Sequence, residues 1–159
     1  MKKITTVIAG GIVGGMMGVL LMKQNMQKIV REKEKKINKY KQYYDTLNYW
    51  METKTSGKEF MNYFQKNNVK NIVIYGMGEL GSRLYEQLEG EDINIFYAID
   101  RNPVSSYANL DVVGEARGEA EKVDLVIVTP IFDFDNIRDE LQKYFSCEII
   151  SLEDIIYSM

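Results

Sequence analysis

The stretch Asn71-Ile-Val-Ile-Tyr75, running straight into Gly76-Met-Gly78-Glu-Leu-Gly81, constrains this chain more than any other. An apolar run of strand length meets three glycines spaced G-x-G-x-x-G, and then a helical repeat, Leu80, Leu84 and Leu88, that stops at Gly90. Gly76 permits the tight turn, Gly78 lets backbone approach a pyrophosphate, and Gly81 lets the helix lie close on the strand, so that helix N-terminal amides face an anion. The expected site is therefore Gly76, Met77, Gly78, Glu79, Leu80 and Gly81, joined by Asp100. This acid stands nineteen residues beyond Gly81 at the end of a second strand, Ile93 to Ile99, where it would accept from a ribose hydroxyl. A reading without a ligand also exists: the glycines serve a strand-to-helix turn, and Asp100 opens the turn Asp100-Arg-Asn-Pro103.

The rest of the chain's second half alternates in the same way. Ser56 and Glu59 read as a capping box before a short helix with Phe60, Met61 and Phe64 inward. A short strand is expected around Asp111 to Val113 and a brief helix near Glu115 to Lys122. Asp124-Leu-Val-Ile-Val-Thr129 is apolar throughout its interior, so both its faces must be covered, and Pro130 ends it. Asp133 or Asp135 is expected to cap a helix reaching Phe145, with Ile137, Leu141 and Tyr144 inward. Glu148 to Ile150 forms a last strand, and Ser151 caps a closing turn that buries Leu152, Ile155 and Ile156. The predicted fold class is α/β: a Rossmann-like parallel sheet of about five strands over residues 53–159, preceded by a transmembrane helix and a helical neck.

Residues 4–22 form that expected transmembrane anchor. From Ile4 to Met22 there is no charge, and as a helix this span measures about 28 Å, close to the hydrocarbon thickness of a bilayer. A cleaved signal peptide is the rival reading, but Val19-Leu-Leu-Met22 lacks small residues at cleavage spacing. Eight Lys/Arg between residues 23 and 41 against Lys2 and Lys3 on the other flank predict a single-pass protein of the cell membrane with its C-terminal domain in the cytoplasm. Gly10, Gly14 and Gly18 make one small-xxx-small row and Gly11 with Gly15 a second, the kind of face on which two anchors pair, although anchors are often rich in glycine without pairing.

The neck, residues 23–52, carries Met26, Val30, Ile37, Tyr40, Tyr44, Leu47 and Met51 at 3-4 spacing, interrupted by Lys33. This suits a short coiled coil and a homodimer. From about residue 40 the aromatic cluster Tyr40, Tyr43, Tyr44, Tyr49 and Trp50 suits equally a helix lying on its own domain, and this is the reading preferred there. Charge is divided along the chain: residues 1–41 hold ten Lys/Arg against Glu32 and Glu34, and the remainder holds ten against twenty-one acids. The basic neck predicts contact with anionic lipid of the inner leaflet, and the acidic domain speaks against nucleic acid as a partner. The chain has no histidine and a single cysteine, Cys147, which reads as a core residue; no metal site and no catalytic constellation are expected.

Three motifs carry a family likeness: Ile74-Tyr-Gly-Met-Gly-Glu-Leu-Gly81, Ala98-Ile-Asp-Arg-Asn-Pro103 and Val126-Ile-Val-Thr-Pro130. Through them residues 71–157 resemble the small Rossmann-like modules attached to bacterial sugar O-acetyltransferases, nucleotide-sugar dehydratases and sugar C-methyltransferases. The resemblance implies that Gly76, Gly78 and Gly81 lie under phosphates, Asp100 and Arg101 beside a ribose or sugar, and Thr129 and Pro130 at the mouth of the cleft. It implies NAD(P) or a nucleotide sugar as the bound cofactor and a glycan-biosynthesis enzyme as partner. Two departures stand out: Tyr85 replaces the small residue usual four positions beyond Gly81, and no Tyr-x-x-x-Lys pair follows the loop.

The expected function is thus a membrane-anchored nucleotide or sugar-nucleotide binding module accessory to envelope polysaccharide or glycan biosynthesis. The alternative is a non-catalytic adaptor that dimerises through anchor and neck. An NAD-dependent oxidoreductase ranks last, because no second domain is there to build a substrate pocket.

Overall fold

The computed structural model describes residues 2–103, 109–116 and 122–159, and not the side chains of residues 2–17, 19 and 20. The chain divides into two compact units, Met1–Lys41 and Gln42–Met159. Helix α1 (Lys2–Thr55) supplies the first unit and the opening of the second. In the first unit the apolar residues Met22, Met26, Val30, Ile37 and Tyr40 are all exposed. Among the described residues no helix is long and apolar enough to cross a membrane. The expected span Ile4–Met22 lies outside the described side chains except at Gly18, Leu21 and Met22.

The second unit takes in the last turns of α1, so the boundary drawn from sequence at residues 52 and 53 falls inside it. One face of this stretch is buried: Thr46, Trp50 and Thr53 are almost fully covered, and Tyr43 and Tyr49 pack partly against the same core. Trp50 meets Phe60 edge-on at 5.4 Å between ring centroids and donates from Nε1 to Gln87 Oε1 at 2.9 Å. Tyr44, from the same aromatic cluster, is exposed, as is Tyr40 in the first unit.

The sheet is five-stranded and parallel: β1 (Asn71–Tyr75), β2 (Asn94–Ile99), β3 (Val112–Val113), β4 (Leu125–Val128) and β5 (Glu148–Ser151), in the order β3-β2-β1-β4-β5. Side chains alternate between faces along each strand. Ile72 and Ile74 therefore join Leu125 and Ile127 under α1, α2 (Phe60–Lys66), α3 (Glu79–Leu88) and α5 (Leu152–Ser158). Val73, Tyr75, Val126 and Val128 face the other way, onto Ile137 and Leu141 of α4 (Phe134–Leu141) and Phe145 beyond it. All four residues of β4 are fully buried, as a central strand covered on both sides requires.

Several local expectations are corrected. Ser56 does not cap α2; its hydroxyl donates back to the Glu52 carbonyl at 2.9 Å, and α1 runs to Thr55 before Gly57, at φ +72°, turns the chain. Glu59 is the residue that precedes α2, without a side-chain cap. Asp133 stands at the N-cap of α4, as expected of it or Asp135, but its carboxylate makes no capping bond: Asp133 accepts from Asn136 at 2.6 Å, and Asp135 pairs with Arg138 at 3.0 Å. The helix ends at Leu141, and Phe145 takes the inward place expected of Tyr144, which is exposed. Ser151 does cap α5, accepting from the Glu153 amide at 3.3 Å. Most of the expected helix near Glu115 to Lys122 lies outside the described residues.

Candidate functional site

The strand order changes direction between β1 and β4, and in open parallel sheets the crevice at such a switch point, beyond the carboxyl ends of the strands, is where ligands gather. Two connections meet there. From β1 comes the glycine loop, and from β4 comes Thr129-Pro130.

Gly76 turns at φ +91°, a conformation that side chains rarely adopt, and its amide donates to the Ile99 carbonyl at 2.7 Å. A Cβ on it would press on Pro130 Cδ at 2.7 Å and Thr129 Oγ1 at 2.8 Å. The Thr129 hydroxyl, buried, donates to the Gly76 carbonyl at 2.6 Å. Thr129 and Pro130 thus brace the loop from beneath; Thr129, expected at a cleft mouth, is part of the floor.

Gly81 lies so close to the loop that any side chain would collide with the Gly76 carbonyl oxygen. The side chains of Met77 and Leu80 are buried in the core beneath α3 together with Leu84 and Tyr85. These two site residues therefore face the crevice with backbone alone. Gly78 and Glu79 are exposed. Gly78 is the N-cap residue of α3 and brings no side-chain cap to it, and nothing lies within 4 Å of where its Cβ would be. The four-residue spacing from Gly81 to Tyr85 is accommodated, since Tyr85 sits in the core.

Asp100 comes to the loop, as its place at the end of β2 predicts, but it is already engaged. Its Oδ2 accepts from the Met77 amide at 2.6 Å and its Oδ1 from the Asn102 amide at 2.8 Å. Arg101 goes elsewhere. It pairs with Glu140 of α4 at 3.1 Å and lies beside the Tyr75 phenol, and these two neighbours, Tyr75 first, push the guanidinium's ionisation further up. Burial raises the Tyr75 phenol in spite of the cation beside it. Together with Ile99, Leu141 and Tyr144 these residues line a cavity of about 290 Å³ on the α4 face of the sheet. Arg83, the other cation close to the loop in sequence, is tied to Glu86 at 2.7 Å.

The opening turns of the second unit also belong to this edge, which the sequence does not announce. Tyr43 packs edge-on to Phe132, ring centroids 5.9 Å apart, and its phenol is raised by burial first and by the charge of Glu79 second. Gln42 donates to Glu153 at 2.8 Å, and Thr46 stands 3.3 Å from the same carboxylate. The signal was the helical spacing of Tyr43, Thr46 and Trp50, which marks a buried face without saying what covers it. Beyond β4, Asp133 and Asp135 hold Asn136 and Arg138, and among the described residues no three His, Cys, Asp or Glu side chains converge to hold a metal ion.

Compared with models of protein families, with curated proteins and with solved structures, the chain finds no match.

Proposed function

We propose that the chain is a membrane-tethered binding module whose glycine loop receives the phosphates of a nucleotide, NAD(P) or a nucleotide sugar, in the service of an envelope-polysaccharide or glycan enzyme. The observation that carries this reading is Gly78. Gly76 and Gly81 are explained from within, one by its positive φ and one by the carbonyl oxygen against it. Gly78 is not: at φ −70° and ψ −162° its backbone is extended, with no positive φ to call for glycine, and the space above it is open. A glycine whose one effect is to bare the backbone at an uncapped helix N-terminus is what close approach of an anion requires.

The tether rests on the uncharged run from Ile4 to Met22 and on the basic flank that follows, which holds the domain on the cytoplasmic side and attracts anionic lipid. The link to glycan synthesis rests on the resemblance of the three motifs, which supports a class and no particular substrate.

The test is calorimetric titration of the full chain in detergent with NAD, NADP, coenzyme A and a panel of UDP-, CDP- and dTDP-sugars, with Gly78→Asp as the control. Saturable heat that the substitution abolishes is expected, and its absence for every ligand overturns the proposal. In that case the adaptor reading takes over, and one observation already favours it: Asp100 holds the Met77 amide, while Arg83 and Arg101 are both ion-paired.

A further inference from the structure

We infer that a second copy of this chain seats on the outward stripe of α1, forming a parallel two-stranded coiled coil. The inference is independent of any ligand at the loop. In the first unit Met26, Val30, Ile37 and Tyr40 are exposed, and in the second Tyr44, Leu47 and Met51 are exposed, although Thr46, Trp50 and Thr53 on the same helix are buried against the domain. Within the second unit the helix therefore carries exposed apolar residues beside its buried face: Tyr44 lies clear of that face, while Leu47 and Met51 border a groove that Trp50 and, on α3, Arg83, Glu86 and Gln87 complete.

The spacing identifies the occupant. Val30, Ile37, Tyr44 and Met51 follow one another at intervals of seven, and Met26, Tyr40 and Leu47 fall on the companion positions of the same heptad. An exact seven-residue repeat keeps a narrow stripe turned toward another helix, whereas a helix covered by a broad surface needs no such repeat. From Met26 to Met51 the pattern lasts between three and four heptads, the length at which such a repeat becomes diagnostic. A lipid surface fits less well, because the stripe continues past the basic run into Asp45, Asn48 and Glu52.

Charge bears on the register of such a pair. The one interruption, Lys33, occupies a d position, and Glu34 follows it at e. In a parallel pair each d side chain enters a hole walled by the e residue of the facing helix. Lys33 then meets Glu34 of the second copy, and the symmetry makes that pair twice. Two like-charged contacts oppose it and keep the association weak: Lys33 faces Lys33 of the second copy across the seam, and Lys36 at g faces Lys41 of the second copy at e.

The test uses the full chain in detergent with Cys147→Ala, carrying Ile37→Cys on the stripe or Lys35→Cys on the opposite side of the helix. Oxidation is expected to join Ile37→Cys copies into disulfide dimers rapidly and Lys35→Cys copies several-fold more slowly. Adding Glu34→Lys should slow the stripe crosslink several-fold, and adding Lys33→Glu to that variant should restore it; positions 33, 34, 35 and 37 are exposed, so circular dichroism should match that of Cys147→Ala alone. Equal crosslinking from both sides, or a monomeric mass by light scattering, overturns the inference, as does a monomer that binds anionic vesicles through the same residues.

Discussion

The carbonyl oxygen of Gly76 occupies the space in which a side chain on Gly81 would begin. Gly78, two residues from one and three from the other, meets nothing. The two positions should therefore respond in opposite ways. Gly81→Ala must push α3 off β1 and is expected to cost about 1–3 kcal/mol, the usual range for overpacking. Gly78→Asp puts a favoured residue at the helix N-cap and should leave stability within about 0.5 kcal/mol of the parent, or slightly above it. Urea denaturation of both variants decides the matter, and the reverse ranking would show that the loop does not lie against α3 in this way.

A second expectation concerns the bond from the Met77 amide to Asp100. A hydrogen bond to a carboxylate contributes about 1.5–3 kcal/mol where it is sheltered, and Asp100 is only half-covered, so Asp100→Ala should cost about 1 kcal/mol. The sharper readout is local. Hydrogen exchange at the Met77 amide should accelerate in the variant while amides of β4 keep their protection. Unchanged exchange at Met77 would mean that the carboxylate does not hold the loop in solution.

Trp50 supplies a third. It is buried between Phe60 and Gln87, although it belongs to the helix that also makes up the neck. Trp50→Ala is expected to cost about 3–5 kcal/mol, the range for removing a large aromatic side chain from a core. For the same reason a fragment of residues 42–159 should unfold cooperatively, and one of residues 52–159, which lacks Thr46 and Trp50, should be markedly less stable. Chemical denaturation followed by circular dichroism compares the two. Equal midpoints would show that the end of α1 is not part of the core.

What could be read from sequence here was local. The alternation of Ile72 and Ile74 against Val73 and Tyr75 follows from strand geometry, and the closing helix is announced by Ser151 two residues before the amide it caps. What could not be read joins residues far apart. Asp100 reaches Met77 across 23 positions, and Thr129 reaches Gly76 across 53. Residue type alone cannot say whether an acid at a strand tip waits for a ribose or bonds its own loop, because both uses need the same carboxylate in the same place. Arg101 follows Asp100 directly, yet successive residues leave a strand end on opposite sides, so it joins Tyr75 and Glu140 on the α4 face. On α1, apolar and aromatic residues populate two faces at once, so helical periodicity could mark the tyrosines without dividing Tyr43 and Tyr49, which pack, from Tyr40 and Tyr44, which do not.

A last expectation comes from the opposite, amino-terminal ends of the strands. Asp124 accepts from the Lys70 amide at 3.0 Å, from the Asn71 amide at 2.9 Å and from Asn71 Nδ2 at 3.1 Å, and so ties the start of β1 to the start of β4. Burial alone would raise its ionisation, but the bonds from Lys70 and Asn71, helped by the charge of Lys122, outweigh it and hold the carboxyl below its usual range. Because the folded value lies below the unfolded one, the ionised form stabilises the fold. That contribution is complete above the ordinary carboxylate value of about 4 and disappears as the pH falls from there through the folded value. Asp124→Asn, which never carries the charge, should be less stable than the parent by about 1 kcal/mol at neutral pH. Urea denaturation in steps down through the acid range should show the difference shrinking toward zero. A difference that stays constant across those steps would mean that Asp124 holds the two strands by shape and hydrogen bonding, without help from its charge.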